Sequence, residues 1–189
     1  WCFTDCTFCY SYEGQEGKPI MIQVYAGGDT VEYFRNGKYL GKQACAKDTH
    51  LETQVHTVYE PGELVAVACE NGEEIGRTSL RTPGKPTAVR LSAERYEPLA
   101  FVNVDVVDEE GLPAADAVTP LHIEIEGPAR LLGFGGPKAL HKKGYEHVDT
   151  TAGEGHALAV LKLIGEEGKH GKVTVKISGE GIREETAEI

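Results

Sequence analysis

The sequence predicts an all-β protein built as two tandem antiparallel sandwiches. Three observations lead there. Apolar residues come in short runs, and no segment sustains a 3.6-residue apolar period. Turn dipeptides separate those runs, with Asn36-Gly37, Pro61-Gly62 and Asn71-Gly72 the clearest. The segment Arg81-Thr82-Pro83-Gly84-Lys85-Pro86 then divides 189 residues into pieces of ordinary domain size. Two prolines and a glycine in six residues favour an extended connector, so the expected domains are residues 1–82 and 83–189.

In the first domain, strands are expected at residues 20–25, 31–34, 38–43, 53–59, 64–70 and 74–80. Asn36-Gly37 is the strongest hairpin signal among their turns, because both residues accept the positive φ of a type I′ turn. In the second domain, strands are expected at residues 88–92, 100–107, 121–126, 130–132, 156–164, 172–178 and 184–189. Phe101-Val102-Asn103-Val104-Asp105-Val106-Val107 alternates polar and apolar as a half-buried strand does. Asp108-Glu109-Glu110-Gly111-Leu112-Pro113 reads as its turn. Residues 133–151, rich in glycine and poor in apolar side chains, read as the longest loop.

Composition narrows the function. Thirty acids against 19 bases give a net charge of −11, which argues against nucleic acid, since phosphate contacts need clustered Lys and Arg. No run approaches the roughly 18 apolar residues of a membrane span. The chain opens on Trp1, and Met21 is its only methionine, so it reads as a piece of something longer. The compartment therefore stays open.

Several segments carry a family resemblance. Val31-Glu32-Tyr33-Phe34-Arg35-Asn36-Gly37-Lys38-Tyr39-Leu40-Gly41 resembles a hairpin in the sandwich that follows the catalytic barrel of many family 2 glycoside hydrolases, β-galactosidases chief among them. Tyr59-Glu60-Pro61-Gly62-Glu63-Leu64-Val65-Ala66-Val67-Ala68 continues that domain in register. Phe101–Pro113 is similar to the strand and turn of bacterial immunoglobulin-like domains. Ile125-Glu126-Gly127-Pro128-Ala129-Arg130-Leu131-Leu132-Gly133, Gly155-His156-Ala157-Leu158-Ala159 and Gly171-Lys172-Val173-Thr174-Val175 are similar to the last domain of the same glycosidases. Tyr33 and Arg35 depart from the pattern, standing where the family carries aliphatic residues. Gly135-Gly136-Pro137 also interrupts the Gly-Asn-Gly loop common there.

The resemblance implies two immunoglobulin-like sandwiches and a parent enzyme that cleaves β-glycosides with retention. The acid/base and nucleophile glutamates of such enzymes sit on a barrel upstream of these domains. The implied partner is thus the catalytic barrel of the parent chain. A homodimer and a carbohydrate ligand are the further partners this reading admits. A carbohydrate-binding module and a segment of an immunoglobulin-like adhesin are the rival assignments.

The residues themselves offer no catalytic site. Retaining or inverting hydrolysis needs two carboxylates about 5–9 Å apart in a cleft, and nothing marks one pair among thirty acids. No nucleophile elbow, phosphate loop or dinucleotide fingerprint is present, and no cofactor is expected. Cys2-Phe3-Thr4-Asp5-Cys6-Thr7-Phe8-Cys9 has the spacing of a radical S-adenosylmethionine cluster. That chemistry needs an α/β barrel, and this chain lacks any strand–helix alternation. The three cysteines read instead as residues of a domain junction. Cys45 and Cys69, in separate strands, read as buried free thiols ahead of the alternative, one disulfide. No metal site is expected either. His141, His147 and Asp149 read as a solvated loop, and Asp105, Asp108, Glu109 and Glu110 as solvated turn carboxylates. What remains are aromatics suited to a sugar face or an interface: Trp1, Tyr10, Tyr12, Tyr33 and Tyr39.

Overall fold

The structure, a computed structural model, describes residues 9–45, 47–137, 144–165 and 171–189. Trp1, Cys2, Cys6 and His141 lie outside the described residues. The chain divides into two compact units, Trp1–Thr82 and Pro83–Ile189. Both are immunoglobulin-like β-sandwiches.

The first unit holds β1 (Pro19–Tyr25), β2 (Thr30–Arg35), β3 (Lys38–Ala44), β4 (Glu52–Val58), β5 (Glu63–Glu70) and β6 (Glu73–Arg81). A four-stranded sheet in the order β3-β2-β5-β6 is faced by the pair β1-β4, all antiparallel. The Asn36-Gly37 turn forms as its residues require: φ is +50° and +76°, and Arg35 pairs directly with Lys38. Asn71-Gly72 repeats the device between β5 and β6, at +52° and +85°. The alternation of β2 puts Val31, Tyr33 and Arg35 inward. There Val31 and Tyr33 meet Tyr10, Ile22, Val55, Tyr59, Leu64 and Ala66 in one apolar cluster. Cys45 and Cys69 are buried free thiols, and Cys45 Sγ donates to the Ala26 carbonyl at 3.2 Å.

The second unit holds β7 (Ala88–Tyr96), β8 (Leu99–Val107), β9 (Thr119–Glu126), β10 (Ala129–Gly135), β11 (Asp149–Ala152), β12 (His156–Leu163), β13 (Thr174–Gly179) and β14 (Ile182–Glu188). Its strand order is β10-β12-β8-β7-β14-β13-β9-β11. The two four-stranded halves meet where β14 pairs with β7 in parallel, Arg183 opposite Ala88, and every other pairing is antiparallel. The halves close over a core of Val102, Val104, Val106, Ala157, Ala159 and Leu161 against Leu121, Ile123, Val175 and Ile177. These small β-branched and alanine side chains alternate with outward residues on every strand that supplies them.

Two expectations need correction. The supposed loop at 133–151 is shorter, because β10 runs on to Gly135 and β11 begins at Asp149. Both ends are fixed by partners distant in sequence, β12 and β9. Asp108 is not a solvated turn carboxylate: it is 6% exposed and accepts three backbone N–H groups. Glu110 and Leu112 donate to Oδ1 at 2.9 and 2.8 Å, and Gly84 donates to Oδ2 at 2.7 Å. The carboxylate thus shapes its own turn and pins the start of the unit to it.

Candidate functional site

The aromatic candidates separate by burial. Tyr10 and Tyr33 are interior, at 2% and 0% exposure, and a ring with no free face cannot stack on a sugar. Burial pushes both phenols above the usual tyrosine range. Tyr12 keeps exposed surface, but its ring meets Tyr59 edge-on at 5.4 Å, and Tyr59 meets Tyr10 at 5.0 Å. The Tyr59 hydroxyl also accepts the Tyr12 N–H at 3.2 Å. This trio fastens the chain before β1 to the corner between β4 and β5. Tyr39 stands apart, half exposed, with its ring 5.5 Å from Phe34. The structure therefore gathers Tyr10 and Tyr12, puts Tyr33 in the core and leaves Tyr39 on the hairpin.

The same corner explains one of the two departures from the family pattern, Arg35. Arg35 is 5% exposed, and its two terminal nitrogens bond one short stretch, while the buried Nε has no hydrogen-bond partner among the described residues. Nη1 donates to Thr57 Oγ1 at 3.1 Å and to the Val58 carbonyl at 2.5 Å, and Nη2 donates to Glu60 Oε1 at 2.7 Å. Tyr33, one inward position away, lies beside Thr53 and Cys45. Asn36 completes the corner. Its Nδ2 donates to the Pro61 carbonyl at 3.0 Å and its Oδ1 accepts the Glu63 N–H at 2.7 Å. The hairpin motif and the Pro-Gly motif are thus physically one lock.

Among the histidines and carboxylates, Asp149 pairs across strands with His122, its Oδ1 2.7 Å from Nδ1. On the outward face of β7, β8 and β12, Arg90, Asp105 and His156 form a row. Arg90 Nη2 donates to Asp105 Oδ2 at 3.0 Å, and His156 Nδ1 lies 2.9 Å from Asp105 Oδ1. No group of three potential metal ligands occurs among the described residues.

His156 also borders a cavity of about 560 Å³ on the outward side of β10 and β12. Leu132, Leu158 and Val160 supply its apolar lining, Gly133, Gly135 and Gly136 its exposed main chain, and Tyr145 a wall. A smaller cavity of about 280 Å³ in the first unit lies among Val24, Tyr25, Ile75 and Arg77. Among the described residues, neither lining includes a carboxylate.

Residues 85–188, more than half of the chain, match glycoside hydrolase family 2 C-terminal domain 5. The chain belongs to that family. Residues 17–76 match a domain of unknown function, DUF4982. β-Galactosidase BoGH2A of Bacteroides ovatus is 28% identical over 172 residues, 87% of this chain and 20% of that protein. A β-galactosidase of Thermoanaerobacter pseudethanolicus is 26% identical over 149 residues, 65% of this chain and 19% of that protein. The chain thus spans about a fifth of the length of these relatives. Among solved structures, a glycosyl hydrolase family 2 member from Bacteroides cellulosilyticus superposes with a TM-score of 0.87 at 26% identity. That match covers 99% of this chain and 24% of the other. A β-glycosidase from Bacteroides vulgatus, at 24% identity and a TM-score of 0.80, shares the fold over 96% of this chain and 24% of its own.

The aromatic search along the sequence missed Tyr145 and His156 as neighbours. The only signal was the glycine run at 133–136, which leaves main chain uncovered and lets other segments approach.

Proposed function

We propose that this chain is a non-catalytic accessory part of a family 2 glycoside hydrolase of the β-galactosidase type. In this reading residues 1–82 form the sandwich after the catalytic barrel, and residues 83–189 the closing sandwich. The parent enzyme hydrolyses β-glycosides with retention, using glutamates of that barrel. The barrel is the partner these units pack against, and a homodimer is a second association this reading admits.

The match of residues 85–188 to a C-terminal domain of the family carries the proposal. Physical observations agree with it. Both interiors are filled mainly by apolar packing, and the carboxylates Glu60, Asp105 and Asp108 are each committed to a cation, an imidazole or backbone N–H groups. Such carboxylates brace turns and strands; they do not face one another across a cleft as acid and nucleophile must. The test is turnover by the purified chain on p-nitrophenyl β-D-galactopyranoside. No release of nitrophenol above the buffer rate is expected. Sustained release that scales with protein concentration would overturn the accessory reading.

A further inference from the structure

The cavity on the outer face of the second sandwich has a composition that packing alone does not require. Its lining is apolar where β12 presents Leu158 and Val160 and where β10 presents Leu132. These residues face away from the core, since Ala157, Ala159 and Leu161 between and beside them point inward. An outward row on a sandwich strand is normally polar. Here it is apolar and sheltered. Tyr145 is held over it because its carbonyl accepts the Phe134 N–H at 2.7 Å, on the free edge of β10. A Cβ at Gly133 would meet that of Tyr145 at 3.4 Å, an ordinary contact. Gly136 is required, since a Cβ would come within 2.8 Å of the Gly153 nitrogen.

One end of the cavity is polar and oriented. Asp105, paired to Arg90, accepts the Nδ1–H of His156 and so fixes the orientation of the ring, whose Nε2 is its second polar atom. The Arg90 guanidinium is neutralised by Asp105, so the row offers no spare cation to an anionic ligand. The net charge of −11 disfavours anions further. Among the described residues the lining holds no carboxylate, which disfavours cations. A neutral ligand with an apolar face and hydroxyl edges fits what remains. Next to Val160, in register across β8, lies Phe101, whose ring meets the exposed Tyr96 ring at 6.1 Å. The apolar stripe therefore continues beyond the cavity across the sheet. Four strands spaced about 4.8 Å apart give it a length of about 14 Å.

We propose that this cavity is a carbohydrate subsite that takes a neutral pyranoside. One ring lies on Leu158 and Val160 with Tyr145 as its wall, and a ring hydroxyl, able to donate or accept, hydrogen-bonds to His156 Nε2. A cavity of about 560 Å³ falls within the range of small-molecule sites, and apolar lining with few polar groups is their usual make-up. The choice of β-galactosides as probes rests on the accessory reading above; the geometry of the cavity does not.

The test is a titration of the full chain with methyl β-D-galactopyranoside and with lactose, followed by amide NMR shifts. Saturable shifts are expected at Gly133, Gly135, Tyr145 and His156–Val160, with a dissociation constant on the order of millimolar. Tyr145→Ala and His156→Gln should each weaken binding by about tenfold while the melting temperature holds. Should Tyr145→Ala fail to fold, His156→Gln carries the comparison. Tyr39→Ala, on the first unit, should bind as the unaltered chain does. Absence of saturable shifts at the solubility limit of both sugars would overturn the proposal, as would undiminished binding by the variants. Shifts at these amides that follow protein concentration instead of sugar would make the face a protein-docking surface and equally overturn it. Nitrophenol release in the earlier assay would sink the accessory reading and leave this binding result standing.

Discussion

Arg35 shows how a residue that breaks a pattern is accommodated by the neighbouring corner between β4 and β5. It points into an apolar cluster, yet its charge ends on Glu60, which is half exposed, and on the Val58 carbonyl. Arg35→Ala should cost about 2–3 kcal/mol, from the void and the lost bond to the Val58 carbonyl. Glu60→Gln should cost only about 1 kcal/mol, because water replaces much of a half-exposed carboxylate. Urea unfolding of both variants checks the ordering, and an equal loss for the two would refute it. Asp108 teaches the complementary lesson about legibility. Asp-Glu-Glu-Gly was rightly readable as a turn, but its first carboxylate is buried. The sequence could not show that Gly84, 24 positions earlier, would donate to it. Local turn chemistry is written in neighbours; burial is written in whatever folds over them.

Elements with strong local turns were the most legible. β2 and β3 were readable because Asn36-Gly37 fixes both φ angles, and β5 and β6 because Asn71-Gly72 does the same. Strands that owe their extent to distant partners were not. β11 is four polar-leaning residues on the edge of β9. β7 runs on to Tyr96 in a hairpin with Leu99, and its Glu97-Pro98 turn lacks the Asn-Gly signal. The cavity was illegible for the same reason as β11, since Tyr145, Gly133 and His156 come from three segments that meet through pairing of β10 and β12. The lock at the β4–β5 corner gives an element-scale prediction. Gly62 has φ +131°, and a Cβ there would fall 1.9 Å from Asn36 Oδ1. Gly62→Ala should therefore destabilise by about 2–3 kcal/mol. Part of that loss should return in the Asn36→Gly background, where the clash is gone and the turn still accepts positive φ. A double-mutant cycle with additive losses would show that backbone strain alone, not the side chain of Asn36, sets the cost.

At the scale of the whole chain, the two units differ in what alkali does to them. Their formal charges are nearly equal: 7 bases against 12 acids in residues 1–82 and 12 against 18 in residues 83–189, hence −5 and −6. General repulsion therefore does not distinguish them. Tyrosine does, because six of the eight tyrosines lie in the first unit. Of these, Tyr10 and Tyr33 are buried, and desolvation holds both phenols above the ordinary value of 10.0. Above that pH the unfolded chain releases these protons while the folded unit keeps them, so the folded state binds more protons. Stability then falls as pH rises from about 10 through the folded values, and it is untouched by these groups below. In the second unit, Tyr96 is also raised, by its hydrogen bond to Glu94, but it stands in water and weighs little. Urea midpoints read from the amides of Val31 and Val104 should coincide in their pH dependence up to about pH 9. Between pH 10 and 11 the Val31 midpoint should drop further than that of Val104, and Tyr33→Phe should flatten the drop. A common shift of both midpoints, or a drop that survives Tyr33→Phe undiminished, would place the alkaline weakness elsewhere than in the buried phenols of the first sandwich.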